Sequence, residues 1–156
     1  MPRKGEVPKR QIPGDPVFNS QVLQRLINKI TMGGKKSLAE RIVYGALTEI
    51  ADKSGENPLD VLATAMQNIK PVVEVRPRRV GGATYQVPVE VTARRQMTLA
   101  IRWLVDATRS RNERQATTRL ANELMEAARS EGGAVRKRVD TYRMAEANKA
   151  YSHYRW

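Results

Sequence analysis

A long β-hairpin with a basic tip is the feature that most limits how this chain can fold. Apolar and polar residues alternate along 73–76 and again along 85–90, on either side of Gly81-Gly82. Such alternation is typical of half-buried strands, and paired glycines permit the tight reversal between two strands. The sequence therefore predicts a two-stranded ribbon in a chain whose other patterns are helical.

Proline and arginine decide what this ribbon can contact. Pro77 and Pro88 lack the N–H group that a neighbouring strand would need, so both outer edges of the ribbon are predicted to be open. Arg76, Arg78 and Arg79 approach the tip, where guanidinium groups suit a polyanion. Charged residues also protect exposed strands from edge-to-edge pairing, so these arginines alone leave both interpretations open.

The charge of the whole chain indicates an acidic partner. Its 156 residues suffice for one domain with a real core, and 28 Lys and Arg against 16 Asp and Glu give a net charge of +12. This charge exceeds the roughly 2 to 8 that keeps a small domain soluble. Nucleic acid is the first candidate partner, because phosphates bind Lys and Arg surfaces without a special motif.

Several classes of site and location are disfavoured by composition. The chain has no cysteine, which excludes disulfides and thiolate metal sites. No apolar run approaches the ~20 residues of a membrane span, and the first residues lack the hydrophobic core of a secretion signal. We therefore expect a protein without cofactor or membrane attachment, in the cytoplasm or in the stroma or matrix of an organelle.

Helical periodicity accounts for the chain before the ribbon. Ser20 is suited to cap a first helix, whose apolar side chains recur on one face. The spacing of Ser37 and Glu40 predicts a capping box at the start of a second helix. The apolar stripe predicted for this second helix consists of Leu38, Ile42, Ala46, Leu47 and Ile50.

Four further helices are predicted from their boundaries. Asn57 followed by Pro58 marks the start of a third helix, and Thr92 is suited to cap a fourth after the ribbon. The glycines at 132–133 are predicted to end a fifth helix, and a sixth is predicted to begin near Arg136. The fold class is thus mainly α, a single-domain bundle of about six helices with the β-ribbon between the third and fourth.

The chain ends differ in composition from this helical body. Residues 1–16 contain four prolines and four basic residues and are predicted to form an extended basic arm. The helical domain is predicted to span 17–156, with the ribbon at about 72–91 and an aromatic and basic tail at 149–156. Aromatic rings beside cations suit stacking on nucleic-acid bases, although such a tail can also dock on its own core.

Arginines recur at a helical spacing after the ribbon. Arg95, Arg102 and Arg109 are seven residues apart, which places them along one side of the fourth helix, and Arg111 and Arg114 follow in the next connection. A line of guanidinium groups suits a nucleic-acid backbone. An ordinary solvated helix face is the alternative interpretation.

Two other function classes compete with RNA binding. The helix, Gly33-Gly34 turn and second helix admit a DNA-binding helix-turn-helix regulator, but the second helix is nearly neutral and has few side chains that read base edges. A nucleic-acid-processing enzyme would need a catalytic constellation. The one histidine, His153, lies in the tail, and no nucleophile elbow or dinucleotide motif is present.

Two long motifs carry a specific resemblance. The segments RRVGGATYQVPVEV at 78–91 and MAEANKAYSHYRW at 144–156, with the shorter GKKS at 34–37, closely resemble the bacterial-type family of small-subunit ribosomal protein seven. The resemblance implies a six-helix bundle with a protruding ribbon. It also implies a free monomer that binds the 3′ major domain of 16S rRNA and nucleates head assembly. The expected neighbours are exit-site tRNA, mRNA and ribosomal proteins nine and eleven of the small subunit.

The resemblance also implies which residues contact RNA. The rRNA-binding residues that it implies are Arg3, Lys4, Lys9, Arg10, Lys35, Lys36, Arg76, Arg78, Arg79, Arg95 and Arg102. The arginine pattern after the ribbon adds Arg109, Arg111 and Arg114 to the predicted rRNA-binding set. The ribbon-tip residues predicted near exit-site tRNA are Arg78, Arg79, Gly81, Gly82 and Tyr85. The predicted tail contacts are Lys149, Tyr151, Tyr154, Arg155 and Trp156. No catalytic residue and no metal ligand are predicted.

Overall fold

The predicted mainly helical fold, with its ribbon between the third and fourth helices, is confirmed by a computed structural model that describes residues 10–154. The predicted sites Arg3, Lys4, Lys9, Arg155 and Trp156 lie outside these residues. The described elements are α1 (Gln21–Ile30), α2 (Lys36–Ser54), α3 (Pro58–Ile69), β1 (Val73–Val80), β2 (Ala83–Glu90), α4 (Ala93–Ser110), α5 (Ala116–Ala128), α6 (Gly132–Ala147) and a 3₁₀ helix (Lys149–Tyr154).

Two helix starts, those of α1 and α3, are fixed by the residues that the sequence indicates. The Ser20 side chain accepts a hydrogen bond from the Leu23 N–H, and Asn57 Oδ1 accepts one from the Leu59 N–H at 3.2 Å. Both bonds satisfy amides that the first turn of a helix leaves without a partner. Thr92 occupies the cap position of α4 without a side-chain hydrogen bond.

The predicted capping box of α2 was wrong, and one residue of its predicted buried stripe is exposed. Lys35 is the cap residue and makes no side-chain cap bond, so Ser37 does not close a capping box. Leu38, predicted to be buried, is 48% exposed. Ala46, Leu47 and Ile50 of the predicted stripe are buried and Ile42 packs against the core, while Ala39 and Val43 supply the remaining buried positions.

The predicted boundary between α5 and α6 was also wrong. The glycines at 132–133 belong to the first turn of α6, which starts before Arg136. A buried carboxylate of α5 caps this helix, because Glu123 Oε1 accepts a hydrogen bond from the Ala134 N–H at 2.9 Å. Gly132 has φ +85°, and a Cβ there would lie 3.0 Å from the same oxygen. Glycine is therefore required by both conformation and space.

The core lies between the helices and excludes the distal half of the ribbon. The largest fully buried apolar side chains are Leu23, Leu26, Ile27, Val43, Ile50, Ile69, Val87, Leu104, Val105, Leu120 and Leu124. Complete burial of one Leu or Ile contributes about 1.5–3 kcal/mol. Helix α5 packs against α2 and α3, while α4 packs against α1 and α6. The bundle thus has its own core, and the ribbon, whose buried Val87 lies outside that core cluster, packs against α6 and the 3₁₀ helix.

The ribbon is supported at its base and along one side. Its antiparallel register pairs Arg78 with Tyr85, and Gly81 and Gly82 turn the chain with positive φ. At the base, the Val72 N–H donates to the Tyr142 hydroxyl of α6 at 2.9 Å. The 3₁₀ helix packs along β2. In the described part of the chain no third strand joins the ribbon.

The segment before α1 is fastened to α2 by Asp15. This buried carboxylate accepts hydrogen bonds from the N–H groups of Val17 and Phe18 and from the Tyr44 hydroxyl. Burial, and then the hydrogen bond to Asp15, raises the pKa of Tyr44 to about 12. Among the helices described, none is long and apolar enough to cross a membrane.

Candidate nucleic-acid interface

Cations from three parts of the chain meet in a cleft between residues 10–13, α1 and α4. The cleft consists of two adjoining hollows of about 320 and 820 Å³. Its basic lining residues, which we call the basic cleft, are Arg10, Arg25, Lys29, Arg94 and Arg102. The described lining contains no Asp or Glu. The cleft is therefore an electropositive hollow on the surface of the bundle.

Helix periodicity explains why these side chains converge. One face of α1 is buried and carries Leu23 and Ile27. Arg25 and Lys29, four residues apart, lie on the outer side of this helix. On α4 the spacing of Arg94, Thr98 and Arg102 forms a second strip beside the buried stripe. Packing of α1 against α4 brings the two strips to opposite walls of one cleft.

The basic cleft lacks internal compensation for its charge. None of its five cations forms an ion pair with another residue in the range 10–154. Arg25 Nε is buried from solvent and has no hydrogen-bond partner there. A desolvated donor without an acceptor costs about 1–3 kcal/mol. An anionic oxygen bound in the cleft would supply that acceptor.

The base of the ribbon continues the basic surface next to the cleft. Arg95, which follows the cleft residue Arg94, donates from Nε to Glu74 Oε2 at 3.2 Å, and its Nη2 lies at the same distance from that oxygen in an ion pair. Arg76 of β1 donates from Nε to Glu74 Oε1, and its Nη2 forms an ion pair with the same oxygen. Two of the predicted rRNA-binding arginines are thus brought together on one carboxylate.

The predicted residues of the ribbon tip occupy different environments. Arg79 is exposed, whereas Arg78 is half-buried beside its cross-strand partner Tyr85, and Arg78 Nε has no hydrogen-bond partner among the described residues. The turn glycines Gly81 and Gly82 are exposed. The tip therefore presents one guanidinium to solvent at Arg79 and holds the other against the strands.

The described part of the tail lies against the ribbon. The Tyr85 ring centroid is 4.9 Å from that of Tyr151 and 5.5 Å from that of Tyr154. His153 packs on Tyr154 with ring centroids 4.0 Å apart and is otherwise exposed. Lys149, at the start of the 3₁₀ helix, is exposed. The tyrosines among the predicted tail contacts thus form one aromatic cluster with Tyr85.

A second group of predicted cations lies near the end of α1. Arg109 Nη2 donates to the Ile30 carbonyl oxygen at 3.4 Å, which joins the end of α4 to the end of α1. Lys35, in the adjoining loop, and Lys36, the first residue of α2, are exposed, and Lys36 Nζ lies 3.4 Å from a carboxylate oxygen of Glu40. Arg114 is exposed in the connection between α4 and α5.

Arg111 is committed to the interior of the fold. Its guanidinium contacts the carboxylates of Glu113, Glu123 and Glu126 at 2.8–2.9 Å, and its side chain is only 18% exposed. Hydrogen bonding to Glu126 is the main cause that raises the pKa of Arg111 above its ordinary value. We therefore assign Arg111 to the packing of α4, α5 and α6 and leave it out of the proposed interface.

Three cations of the basic cleft were not among the predicted site residues. Arg25 and Lys29 had a usable signal, since their four-residue spacing places them together on the polar face of α1. Arg94 was not predicted because it falls outside the seven-residue spacing of Arg95, Arg102 and Arg109, on which the prediction for α4 was based. Only the packing of α1 on α4 shows that Arg94 and Arg102 face Arg25.

The chain matches known proteins over nearly its whole length. The family model described as ribosomal protein S7p/S5e matches residues 2–149. A protein of Pelotomaculum thermopropionicum is 59% identical over 156 residues, which is all of both chains. Proteins of Nautilia profundicola and Halorhodospira halophila are each 58% identical, over 99% and 100% of both chains. All three are named small ribosomal subunit protein uS7.

Proposed function

Because the chain belongs to the ribosomal protein S7p/S5e family, we propose that it is a structural, non-catalytic component of the small ribosomal subunit. In this role it binds the 3′ major domain of 16S rRNA in the cytoplasm and nucleates assembly of the subunit head. The observation that carries the RNA-binding part is the basic cleft, where cations from three chain segments meet without a counter-ion from the described residues.

The cleft acts by neutralising phosphates that would otherwise repel each other. Arg25 and Arg94 lie on elements that the bundle holds at a fixed separation, so the guanidinium groups are positioned before RNA arrives. Planar guanidinium groups bind phosphate through two parallel hydrogen bonds. Phosphates from separate rRNA helices can therefore approach one rigid surface, and the shape of the RNA junction supplies the specificity.

The ribbon extends this contact away from the bundle. Arg76 of its lower part lies with Arg95 of α4 on Glu74, while Arg79 and the Gly81-Gly82 turn lie at the far end. We assign the base to rRNA and the tip to the neighbourhood of exit-site tRNA and small-subunit ribosomal protein eleven. The remaining expected neighbours are mRNA and ribosomal protein nine. The free protein is proposed to be a monomer.

A binding titration on isolated rRNA domains tests the proposal. The purified chain should bind a transcript of the 3′ major domain more tightly than a 5′-domain transcript of similar length. With roughly 6 to 10 phosphates engaged, affinity should fall by about 10³ to 10⁵ between 50 and 200 mM salt. Equal binding to both transcripts, or duplex DNA competing as well as the 3′ major domain, would contradict the proposal and favour a DNA-binding regulator.

Matched arginine variants locate the interface within the same assay. Arg94→Ala removes a cleft cation, whereas Arg129→Ala removes an exposed cation that shares a hollow with Glu56 and Asp60 on the acidic side of the bundle. Both variants lose one positive charge. We expect Arg94→Ala to weaken binding several-fold more than Arg129→Ala, because only the former contacts phosphate.

A further inference from the structure

The buried carboxylate of Glu74 lies between two arginines of a surface that is otherwise built to attract anions. The residue is only 7% exposed, and the other residues of β1 are apolar or basic. Glu74 Oε1 accepts from Arg76 and Oε2 accepts from Arg95, so each oxygen holds one guanidinium. A negative group beside a proposed phosphate-binding surface needs a physical reason.

We propose that Glu74 is a positioning residue that sets the orientation of Arg76 and Arg95 for rRNA, which rests on the function proposed above. Both arginines use Nε and Nη2 toward the carboxylate. Each guanidinium has five N–H donors, so the edge that carries Nη1 stays available. Their side chains remain 47% and 42% exposed, and the three groups together keep a positive charge.

The local backbone makes such an orienting group necessary. Arg95 lies in the first turn of α4, which has no acidic residue there and also contains Arg94. Cations at a helix N-terminus are disfavoured by the helix dipole. Without Glu74, Arg95 would turn toward solvent, and Arg76, on an edge of the ribbon, would have the same freedom. One carboxylate fixes both long side chains and ties β1 to α4.

Net charge and orientation predict opposite effects of removing the carboxylate. Glu74→Gln makes the protein more positive, so attraction to RNA by net charge alone would tighten binding. Loss of orientation instead weakens binding to the 3′ major domain, by about 5- to 10-fold, because two arginines must then be ordered during association. The sign of the change therefore separates the two explanations.

Glu90→Gln is the matched control on the same ribbon. Glu90 is exposed, and its position one residue beyond the Glu74 partner Val89 places it on the opposite ribbon face. Both substitutions add the same charge. We expect Glu90→Gln to bind the 3′ major domain as tightly as wild type or slightly more tightly. We expect Glu74→Gln to bind it more weakly and to lose preference over the 5′-domain transcript.

Glu74→Asp supplies a second test at unchanged net charge. The shorter side chain retracts the carboxylate, so it cannot hold both guanidinium groups, and specific binding should again fall. In an Arg76→Ala/Arg95→Ala background, Glu74→Gln should cause no further weakening. This coupling is not expected of a residue that only stabilises the ribbon. Circular dichroism and melting temperature establish that each variant compared is folded.

The outcomes separate this inference from the function on which it rests. Wild-type protein that does not prefer the 3′ major domain would overturn the proposed function itself. Wild-type preference, together with Glu74→Gln binding as tightly as Glu90→Gln or Glu74→Asp binding as wild type, would overturn only the role of Glu74. Should Glu74→Gln fail to fold, the Glu74→Asp titration decides alone.

Discussion

The arginines of this protein differ in whether the fold already neutralises them. Arg111 is surrounded by three carboxylates, whereas Arg25 has a buried Nε without a described partner. A guanidinium paired inside the protein contributes to folding, and one left unpaired at a cleft is available to a ligand. Counting charges along the sequence cannot make this distinction, because the carboxylates that pair with Arg111 are mostly on α5.

Arg25→Ala and Arg111→Ala should therefore affect different properties. We expect Arg25→Ala to weaken binding to the 3′ major domain without lowering the melting temperature, since it removes an unpaired donor. Arg111→Ala should lower the free energy of unfolding by about 3 kcal/mol, because breaking the cluster leaves the buried Glu123 uncompensated. Denaturant unfolding and RNA titration of both variants measure the two effects. A folded Arg25→Ala protein with a marked loss of stability would contradict the assignment.

The same carboxylates predict a loss of stability in acid. Hydrogen bonds from its own backbone, Asn122 and Arg111 lower the pKa of Glu113 from 4.5 to about 2, and the hydrogen bond from Arg111 lowers the pKa of Glu126. A depressed folded-state pKa gives stability that is present above the unfolded pKa and lost as pH falls through the folded pKa. Wild-type stability should thus decline from about pH 4.5 toward pH 2.

Arg111→Ala provides the comparison for this pH dependence. Without the guanidinium, the folded-state pKa values of Glu113 and Glu126 move back toward their unfolded values, so the variant should lose less stability over the same pH range. Urea unfolding at a series of pH values measures both slopes. Parallel curves for wild type and variant would show that other carboxylates dominate the acid response.

Elements of the fold were predictable where a local signal defines them. The hairpin, the Ser20 cap and the Asn57-Pro58 start all follow from contacts within a few residues, and all are confirmed. The start of α6 was not predictable in this way. A glycine pair commonly ends a helix, but here Glu123 from another helix caps the segment that the glycines begin.

The ribbon and the tail form a second unit that local patterns could not reveal. Alternation predicts the strands, yet the contact of Tyr85 with Tyr151 and Tyr154 joins segments that are far apart in the sequence. For the same reason, sequence spacing could relate only cations on the same helix. Packing of α1 on α4 brings cations from different elements into one cleft. The charge of the interface was readable from sequence, and its shape was not.

Replacing Tyr85 with alanine should loosen the ribbon while leaving the bundle intact. The substitution removes two aromatic contacts, each worth about 0.5–1.5 kcal/mol beyond buried area. We expect faster amide hydrogen exchange along β2 and unchanged exchange in α5. Thr84→Ala, at an exposed neighbouring position on the other face, is the control. Equal protection of β2 in the Tyr85 and Thr84 variants would mean that the aromatic cluster does not support the ribbon.

Across the whole molecule, charge is divided between two sides. The basic cleft and the ribbon base lie along α1 and α4, while Glu49, Asp52, Glu56 and Asp60 lie near the end of α2 and the start of α3. Such separation orients a protein as it approaches a polyanion. The described cations of the cleft and the ribbon base are therefore separated from this acidic group and do not belong to a uniform solubilising coat.

Removal of residues 1–9 tests how much the cations of the N-terminal segment contribute to rRNA binding. The deletion eliminates Arg3, Lys4 and Lys9 but retains Asp15, which fastens the segment before α1 to α2. We expect an unchanged melting temperature and a shallower salt dependence of rRNA binding, because the slope should decrease by about 0.7 for each phosphate that these cations neutralise. An unchanged slope would show that these three cations do not bind phosphate.

The missing acceptor at Arg25 Nε has a consequence for the life of the protein outside its complex. Because an anionic ligand would satisfy that donor and relieve repulsion across the cleft, occupied molecules unfold less often than empty ones. Proteases act on chains that open. Free copies should therefore be cleaved faster by protease than copies bound to RNA.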